Sequence, residues 1–524
     1  MPTTMIIVSR VLFGGGFGPR TWLGSFLGIR KARMITCGTR DLSSSAMAYN
    51  KVLTMDNLNP NIIKLQYAVR GPLVIRATEI EKELEKGATK PFKKVIKANI
   101  GDAHAMGQLP LTFFRQVLAC VSFPNLIETA GFPEDVRQRA KTLLKACGGY
   151  SMGAYTASHG IEIIRQSVAE YIARRDGHPS RWQDVCLSAG ASIAIKNVLQ
   201  MFCNQETPSG VMVPIPQYPL YSATLAEYGL QQTGYYLDEE NAWGLDVAEL
   251  QSAADKSRAA GVNVRAIVVI NPGNPTGQVL SRENIESVIK FAYENKLFIL
   301  ADEVYQDNTY GGLEFVSFKK VLREIGDPYD KVELASFMST SKGYMGECGI
   351  RGGYMELVNL DAKVQAELFK CISAMLCPTT YGQVLMHLVT SPPVQGDPSY
   401  ELFIKEKQNV LKTLAERALM IADAFNQMPG FKCNVVQGAM YAFPNFQLPE
   451  KAIKAAADEG KEPDVFYAFR LLEEAGICVV PGSGFGQRPG SFHFRTTILP
   501  QTPMLREMLD IFKGFHEKFT KEFS

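Results

Sequence analysis

The run Val264-Arg265-Ala266-Ile267-Val268-Val269-Ile270, halted at once by Asn271-Pro272-Gly273-Asn274-Pro275, decides the fold. Its β-branched residues mark a strand, and the proline-rich stop marks a sharp exit from it. Downstream, Ser281 caps a helix predicted over 281–295, and 297–301 is the next buried strand, with Asp302 at its carboxyl end. Residues 333–338 form a further strand feeding Ser339-Thr340-Ser341-Lys342. Upstream, Ile161, Ile164, Val168, Tyr171 and Ile172 share one face of a helix that Gly177 stops. A strand at 184–188 turns through Ala189-Gly190-Ala191-Ser192 into a helix at 193–203, and 210–214 is another short strand. This alternation predicts an α/β fold with a mostly parallel central sheet flanked by helices. Ligands of such sheets collect beyond the carboxyl ends of the strands. Asn274, Asp302 and Lys342 all stand at strand exits, so they belong to one site.

Beyond residue 390 the pattern changes. A long helix at 400–428 precedes short strands at 432–436 and 439–443, a helix at 464–475, strands at 477–481 and 491–498, and a closing helix at 504–519. This is the signature of a smaller α+β domain built from both chain ends. The expected organisation is an arm at 1–45, an N-terminal part of the small domain at 46–125, a large domain at 126–390 and the rest of the small domain at 391–524.

Bulk properties exclude several classes. A formal charge of +2 over 524 residues gives no footprint for nucleic acid or an anionic membrane surface. Ten cysteines without a C-x-x-C pair, and six dispersed histidines, suit neither a zinc site nor a disulfide scaffold. No apolar stretch reaches the ~18 residues that span a bilayer. Gly482-x-Gly484-x-Gly486 lacks the spacing of a dinucleotide loop and reads as a turn. The first forty residues stand apart. They hold Arg10, Arg20, Arg30, Lys31, Arg33 and Arg40 and no acid, the composition of a mitochondrial transit peptide; the alternative is an unprocessed disordered arm on a cytoplasmic protein. Its removal leaves 49 basic against 53 acidic residues, a net charge of −4.

Three segments carry chemistry. In Ser339-Thr340-Ser341-Lys342, two small hydroxyls suited to phosphate adjoin a lysine, and Arg351 nine residues on offers a bidentate phosphate fork. Arg495 lies in an otherwise apolar strand, where a cation is costly unless an anion meets it. The turn at 189–192, which opens a helix, is the third segment, and its role comes from the resemblance that follows.

The ordered series Asn271-Pro272-Gly273-Asn274-Pro275-Thr276-Gly277, Ala301-Asp302-Glu303-Val304-Tyr305 and Ser339-x-Ser341-Lys342-x(8)-Arg351 resembles the fold-type I, class I/II aminotransferases, over nearly all of 60–520. The strings Gly346-Glu347-Cys348-Gly349-Ile350-Arg351-Gly352-Gly353-Tyr354 and Asn99-Ile100-Gly101-Asp102-Ala103-His104-Ala105-Met106-Gly107-Gln108 resemble the alanine aminotransferase branch. The resemblance implies pyridoxal 5′-phosphate as cofactor, bound by the 126–390 domain. Lys342 would hold it as a Schiff base and then move the proton at the substrate. Asp302 would pair with the pyridine nitrogen, Asn274 and Tyr305 with the 3′-oxygen, and Tyr218 would stack on the ring. Ser339, Ser341, Arg351 and the amides of Ala191 and Ser192 would hold the phosphate, although relatives carry more glycine at 189–192. Arg495 would clamp the substrate carboxylate, with Gly101 allowing close approach. Tyr155 would reach the phosphate of a neighbouring subunit, making the active unit a homodimer with shared sites. The implied reaction is ping-pong transfer from L-alanine to 2-oxoglutarate. Glutamate:glyoxylate transfer, a pyridoxal-phosphate lyase and a catalytically silent ligand sensor are the alternatives; no helix-turn-helix pattern in 1–100 supports the last. No residue is evident for glutamate's distal carboxylate.

Overall fold

The computed structural model describes residues 51–67, 71–204 and 206–524. The 1–45 arm lies outside the described residues. A seven-stranded sheet runs through the molecule: β1 Val185–Ser188, β2 Ser209–Ile215, β3 Gln231–Tyr236, β4 Asn263–Ile270, β5 Phe298–Asp302, β6 Leu334–Ser339 and β7 Gly353–Val358, in the order β1-β7-β6-β5-β4-β2-β3. The pairs β2–β3, β2–β4, β4–β5 and β5–β6 are parallel, and β7 runs against both β6 and β1. The mostly parallel sheet is thus as expected, with β3 and β7 added. Both escaped the sequence reading because Gln231 and Gln232 are exposed and polar, and because the glycines before Tyr354 look like a loop.

Parallel strands bury both faces, and β4 shows how. Ala266, Val268 and Ile270 enter one hydrophobic cluster, with the helix Ala191–Gln200 and the C-terminal part of the chain. Ile267 and Val269 enter another, under the helix Arg282–Asn295. Each buried Val or Ile among them contributes about 1.5–3 kcal/mol. Ser281 caps that helix as expected, its side chain accepting from the Asn284 N–H. The helix Glu162–Asp176 stops at Gly177, also as expected.

The C-terminal strands are shorter than their hydrophobic runs suggested. Val480–Pro481, Phe494–Thr497 and Tyr441–Ala442 form one antiparallel sheet, and Phe431–Lys432 pairs with Asn445–Phe446. Here aromatic packing, not ladder length, makes the core: Phe425, Phe431, Phe446, Tyr467, Phe494 and Phe512 interlock with centroids within 6.5 Å. The N-terminal side joins this sheet at Ile96, bridged to Ile477, and at Ala98, whose carbonyl accepts from the Thr497 N–H. The helix Thr112–Ser122 departs from the expected grouping. Phe113, Phe114 and Val117 pack with Val136, Leu143 and Ile164, because its buried stripe matches those helices. Among the described residues no helix is long and apolar enough to cross a membrane, and no group of His, Cys, Asp or Glu could hold a metal ion.

Candidate active site

A cavity of about 440 Å³ opens where β1, β2, β4, β5 and β6 end, and the Phe494–Thr497 strand closes its far side. Of the thirteen residues singled out from the sequence, it gathers twelve: Gly101, Ala191, Ser192, Tyr218, Asn274, Asp302, Tyr305, Ser339, Ser341, Lys342, Arg351 and Arg495. Tyr155 stands elsewhere, with 80% of its surface exposed.

Asp302 ends β5 and is buried. One carboxylate oxygen accepts from the Tyr221 hydroxyl at 2.9 Å; the other has no hydrogen-bond partner. Burial pushes its pKa up to about 6, although Tyr221, the Val304 N–H and the Lys342 charge pull it back. Lys342 follows the end of β6, and its Nζ donates to the Gly101 carbonyl at 3.4 Å and lies 5.7 Å from the Tyr305 ring centre. Asn274, just past β4, donates to the Tyr305 hydroxyl at 3.4 Å. Burial drives the phenols of Tyr305, Tyr218 and Tyr221 well above the usual range, so all three remain protonated donors.

Opposite them lies a cradle for an anion. Arg351 donates to the carbonyls of Ala189 and Cys348, both at 3.1 Å, and approaches Ser341 Oγ at 3.5 Å. A Cβ on Gly190 would lie 2.3 Å from this guanidinium, so only glycine lets the turn close upon it. The helix Ala191–Gln200 starts there and presents its free N–H groups.

Arg495 is 1% exposed and meets no carboxylate within 4 Å among the described residues. Its guanidinium donates to the Asn99 carbonyl at 2.7 Å and to Asn274 Oδ1 at 3.1 Å, and its Nε has no partner. The rings of Tyr441 and Phe485 flank it, 4.1 and 5.0 Å from their centres. Gly101 lines the same cavity; a Cβ there would meet Tyr441 Oη at 1.9 Å. A buried arginine that lines a cavity with no acidic partner and an unbonded Nε is fitted to an external anion.

Sequence reasoning missed Tyr67, Tyr221, Cys348 and Tyr441 in this lining. Tyr67 hydrogen-bonds Tyr218 at 2.9 Å, and Tyr221 orients Asp302. An aromatic beside a short strand looks like core from sequence alone. The one usable signal was Tyr221, three residues after Tyr218 at the start of a helix.

Pyridoxal phosphate fits these residues. The orphaned Asp302 oxygen asks for a buried cationic N–H, and the Arg351 cradle asks for a phosphate. A sheet with a lysine, an acid and an anion cradle at its strand exits defines a cofactor-dependent transferase of fold type I. Residues 125–512 match the family described as "Aminotransferase class I and II". The chain belongs to that family and is a pyridoxal-phosphate-dependent transaminase. It is 57% identical over 491 residues to alanine aminotransferase 2 of Xenopus laevis, covering 93% of this chain and 91% of that one. With alanine aminotransferase 1 of Homo sapiens the identity is 58% over 479 residues, 90% and 96% of the two chains. Among solved structures, an alanine aminotransferase from Pyrococcus furiosus superposes with a TM-score of 0.69 at 25% identity, covering 88% of this chain and 99% of that one.

Proposed function

We infer that this enzyme is an alanine aminotransferase, converting L-alanine and 2-oxoglutarate to pyruvate and L-glutamate by a ping-pong route through one site. The observation that carries the reading is Arg495: a buried, acid-free guanidinium across a small cavity from a lysine. The identity to proteins named alanine aminotransferase, over nine-tenths of the chain, supports alanine as the donor.

Lys342 would hold the cofactor, with Asp302 toward its ring nitrogen and Asn274 and Tyr305 toward its 3′-oxygen. Tyr218 would cover the ring, and Ser339, Ser341, Arg351 and the amides of Ala191 and Ser192 would take the phosphate. Pyridoxal phosphate supplies the electron sink that stabilises charge at the substrate Cα. Arg495 binds the substrate carboxylate with a two-pronged fork and so fixes which Cα bond faces Lys342. The Lys342 amine, freed when substrate binds, would take the proton from the substrate Cα and hold it at Nζ as the general acid for the reverse transfer. The Tyr441 and Phe485 rings keep water from Arg495, which strengthens the ion pair.

The site is completed in a homodimer on this reading. Exposed Tyr155 reaches outward, where a partner subunit's phosphate cradle can accept its hydroxyl. Residues 391–524, with the N-terminal part that precedes the helix Thr112–Ser122, act as a small domain for the 126–390 cofactor domain. The acid-free arm directs the chain to the mitochondrial matrix; a Dictyostelium discoideum relative, 44% identical over 488 residues, carries the name "Probable alanine aminotransferase, mitochondrial".

The test is direct. Purified enzyme given pyridoxal phosphate, alanine and 2-oxoglutarate should form pyruvate and glutamate in equal amounts. Turnover of other amino acids with none of alanine would sink the assignment.

A further inference from the structure

Two segments that the reaction does not use chemically meet beside the cavity. His104 Nδ1 lies 2.9 Å from the Gln108 carbonyl, which can only accept, so Nδ1 carries the proton. The other ring nitrogen, Nε2, then offers a bare lone pair in the neutral ring. It points at Glu347 Oε2, 3.6 Å away, and has no hydrogen-bond partner. Glu347 is 2% exposed and takes both prongs of Arg115, at 3.0 and 2.7 Å. A lone pair facing a buried carboxylate is unfavourable, and a proton on Nε2 converts it into an ion pair.

The cluster spans three pieces of chain: the 99–108 strap, the Lys342 loop through Glu347, and the helix Thr112–Ser122 through Arg115. Gln108 adds a second tie, donating to the Tyr344 carbonyl at 2.9 Å. The strap supplies the Asn99 carbonyl to Arg495 and the Gly101 carbonyl to Lys342. Its position therefore sets the aim of the carboxylate clamp.

We propose that His104, Glu347 and Arg115 form a proton-operated latch that holds the strap in place for Arg495, so that His104 is a positioning residue for substrate. The charged groups facing His104 are Glu347 on the lysine loop and Arg115 on the neighbouring helix; Asp102, on its own strap, is occupied by the Ala105 N–H. Glu347 raises the His104 pKa above its ordinary 6.5 and outweighs burial, which opposes it. The sign follows: the stabilisation is full below the unfolded pKa and is lost as pH rises through the higher folded one. This latch rests on the reading of Arg495 as the alanine-carboxylate site.

The experiment compares wild-type holoenzyme with His104→Gln, which cannot titrate, and His104→Lys, which stays charged, from pH 6 to 9. Alanine's own ionisation is common to all three and cancels in ratios. At pH 6 the KM for alanine should be on the order of fivefold lower in wild type than in His104→Gln, the size of a partly exposed ion pair. The two should converge by pH 9, where His104→Lys alone keeps the low KM, and kcat should stay within about twofold throughout. Melting midpoints should follow the same pattern: wild type above His104→Gln at pH 6, level at pH 9. KM profiles that run parallel at all pH values, or a melting gap independent of pH, would overturn the latch. If wild type fails to use alanine, the functional reading falls, and the melting comparison still decides the latch.

Discussion

Two of the buried charge systems in this fold are built on opposite principles. Away from the cavity, Lys319 on the helix Phe318–Ile325 and Glu356 on β7 are each 2% exposed and pair with one another; Ser180 donates to the same Glu356 oxygen, and the other oxygen has no hydrogen-bond partner. At the strand exits, Asp302 and Arg495 are also buried, yet among the described residues neither has an opposite charge within 4 Å, and Arg495 Nε and one Asp302 oxygen have no hydrogen-bond partner. Removing charge from water costs several kcal/mol per ion unless a partner compensates. The first system offsets that cost internally and is structural. The second leaves it standing, and external groups must offset it. Lack of a counter-charge marks the site only where it meets the cavity: among the described residues Arg165 and Arg417 are also buried without an acid, but they are spent on carbonyl and hydroxyl oxygens away from it.

The largest expected effect comes from the lysine between the unpaired charges. Lys342→Ala should retain the fold by circular dichroism and lose on the order of 10⁴-fold in pyruvate formation, since both the tether and the proton carrier go. Substantial residual turnover would mean that another group moves the proton. Next is the paired system. Lys319→Met leaves Glu356 buried without a counter-charge, and should cost about 3–5 kcal/mol in chemical denaturation. The double replacement Lys319→Met with Glu356→Leu should recover most of that loss. If the single and double variants are equally unstable, packing rather than charge holds that region.

Asp302 sharpens the contrast through pH. Its folded pKa of about 6 lies above the ordinary 3.8, so the folded protein binds the proton more tightly and loses stability as pH rises from 4 to 6. In cofactor-free enzyme, Asp302→Asn should therefore be more stable than wild type at pH 8, by on the order of 3 kcal/mol, and no more stable at pH 4. The same variant should bind pyridoxal phosphate more weakly. A stability gain that persists at pH 4 would show that ionisation is not its source.

The contrast also explains what the sequence made legible. Asn274, Asp302 and Lys342 announce themselves because each follows a β-branched or apolar run, and a polar residue at such an exit has few other uses. Arg495 was legible for a related reason, a cation set among apolar neighbours. Tyr441 and Tyr67 were not, since an aromatic next to a strand has a core role by default and only three-dimensional convergence assigns it another. The short C-terminal strands were overextended from sequence because aromatic clusters give long apolar runs without long ladders. The latch was invisible as well: His104 and Glu347 are more than two hundred residues apart, and neither has a neighbour in sequence that hints at the other.

The smallest of these effects is also the most discriminating. Arg495→Lys keeps the charge and the burial but replaces a planar fork with a single ammonium. The Asn99 carbonyl and Asn274 Oδ1 cannot both be reached by one short head, so the aim of the clamp is lost while the charge stays. The KM for alanine should rise about tenfold to a hundredfold, the value of one charge-assisted hydrogen bond. Stability should shift by less than about 1 kcal/mol, because no internal ion pair is broken. A paired arginine would behave the other way, losing stability first and affinity second. A large fall in melting temperature with an unchanged KM would therefore move Arg495 from the site to the architecture, beside Lys319 and Glu356.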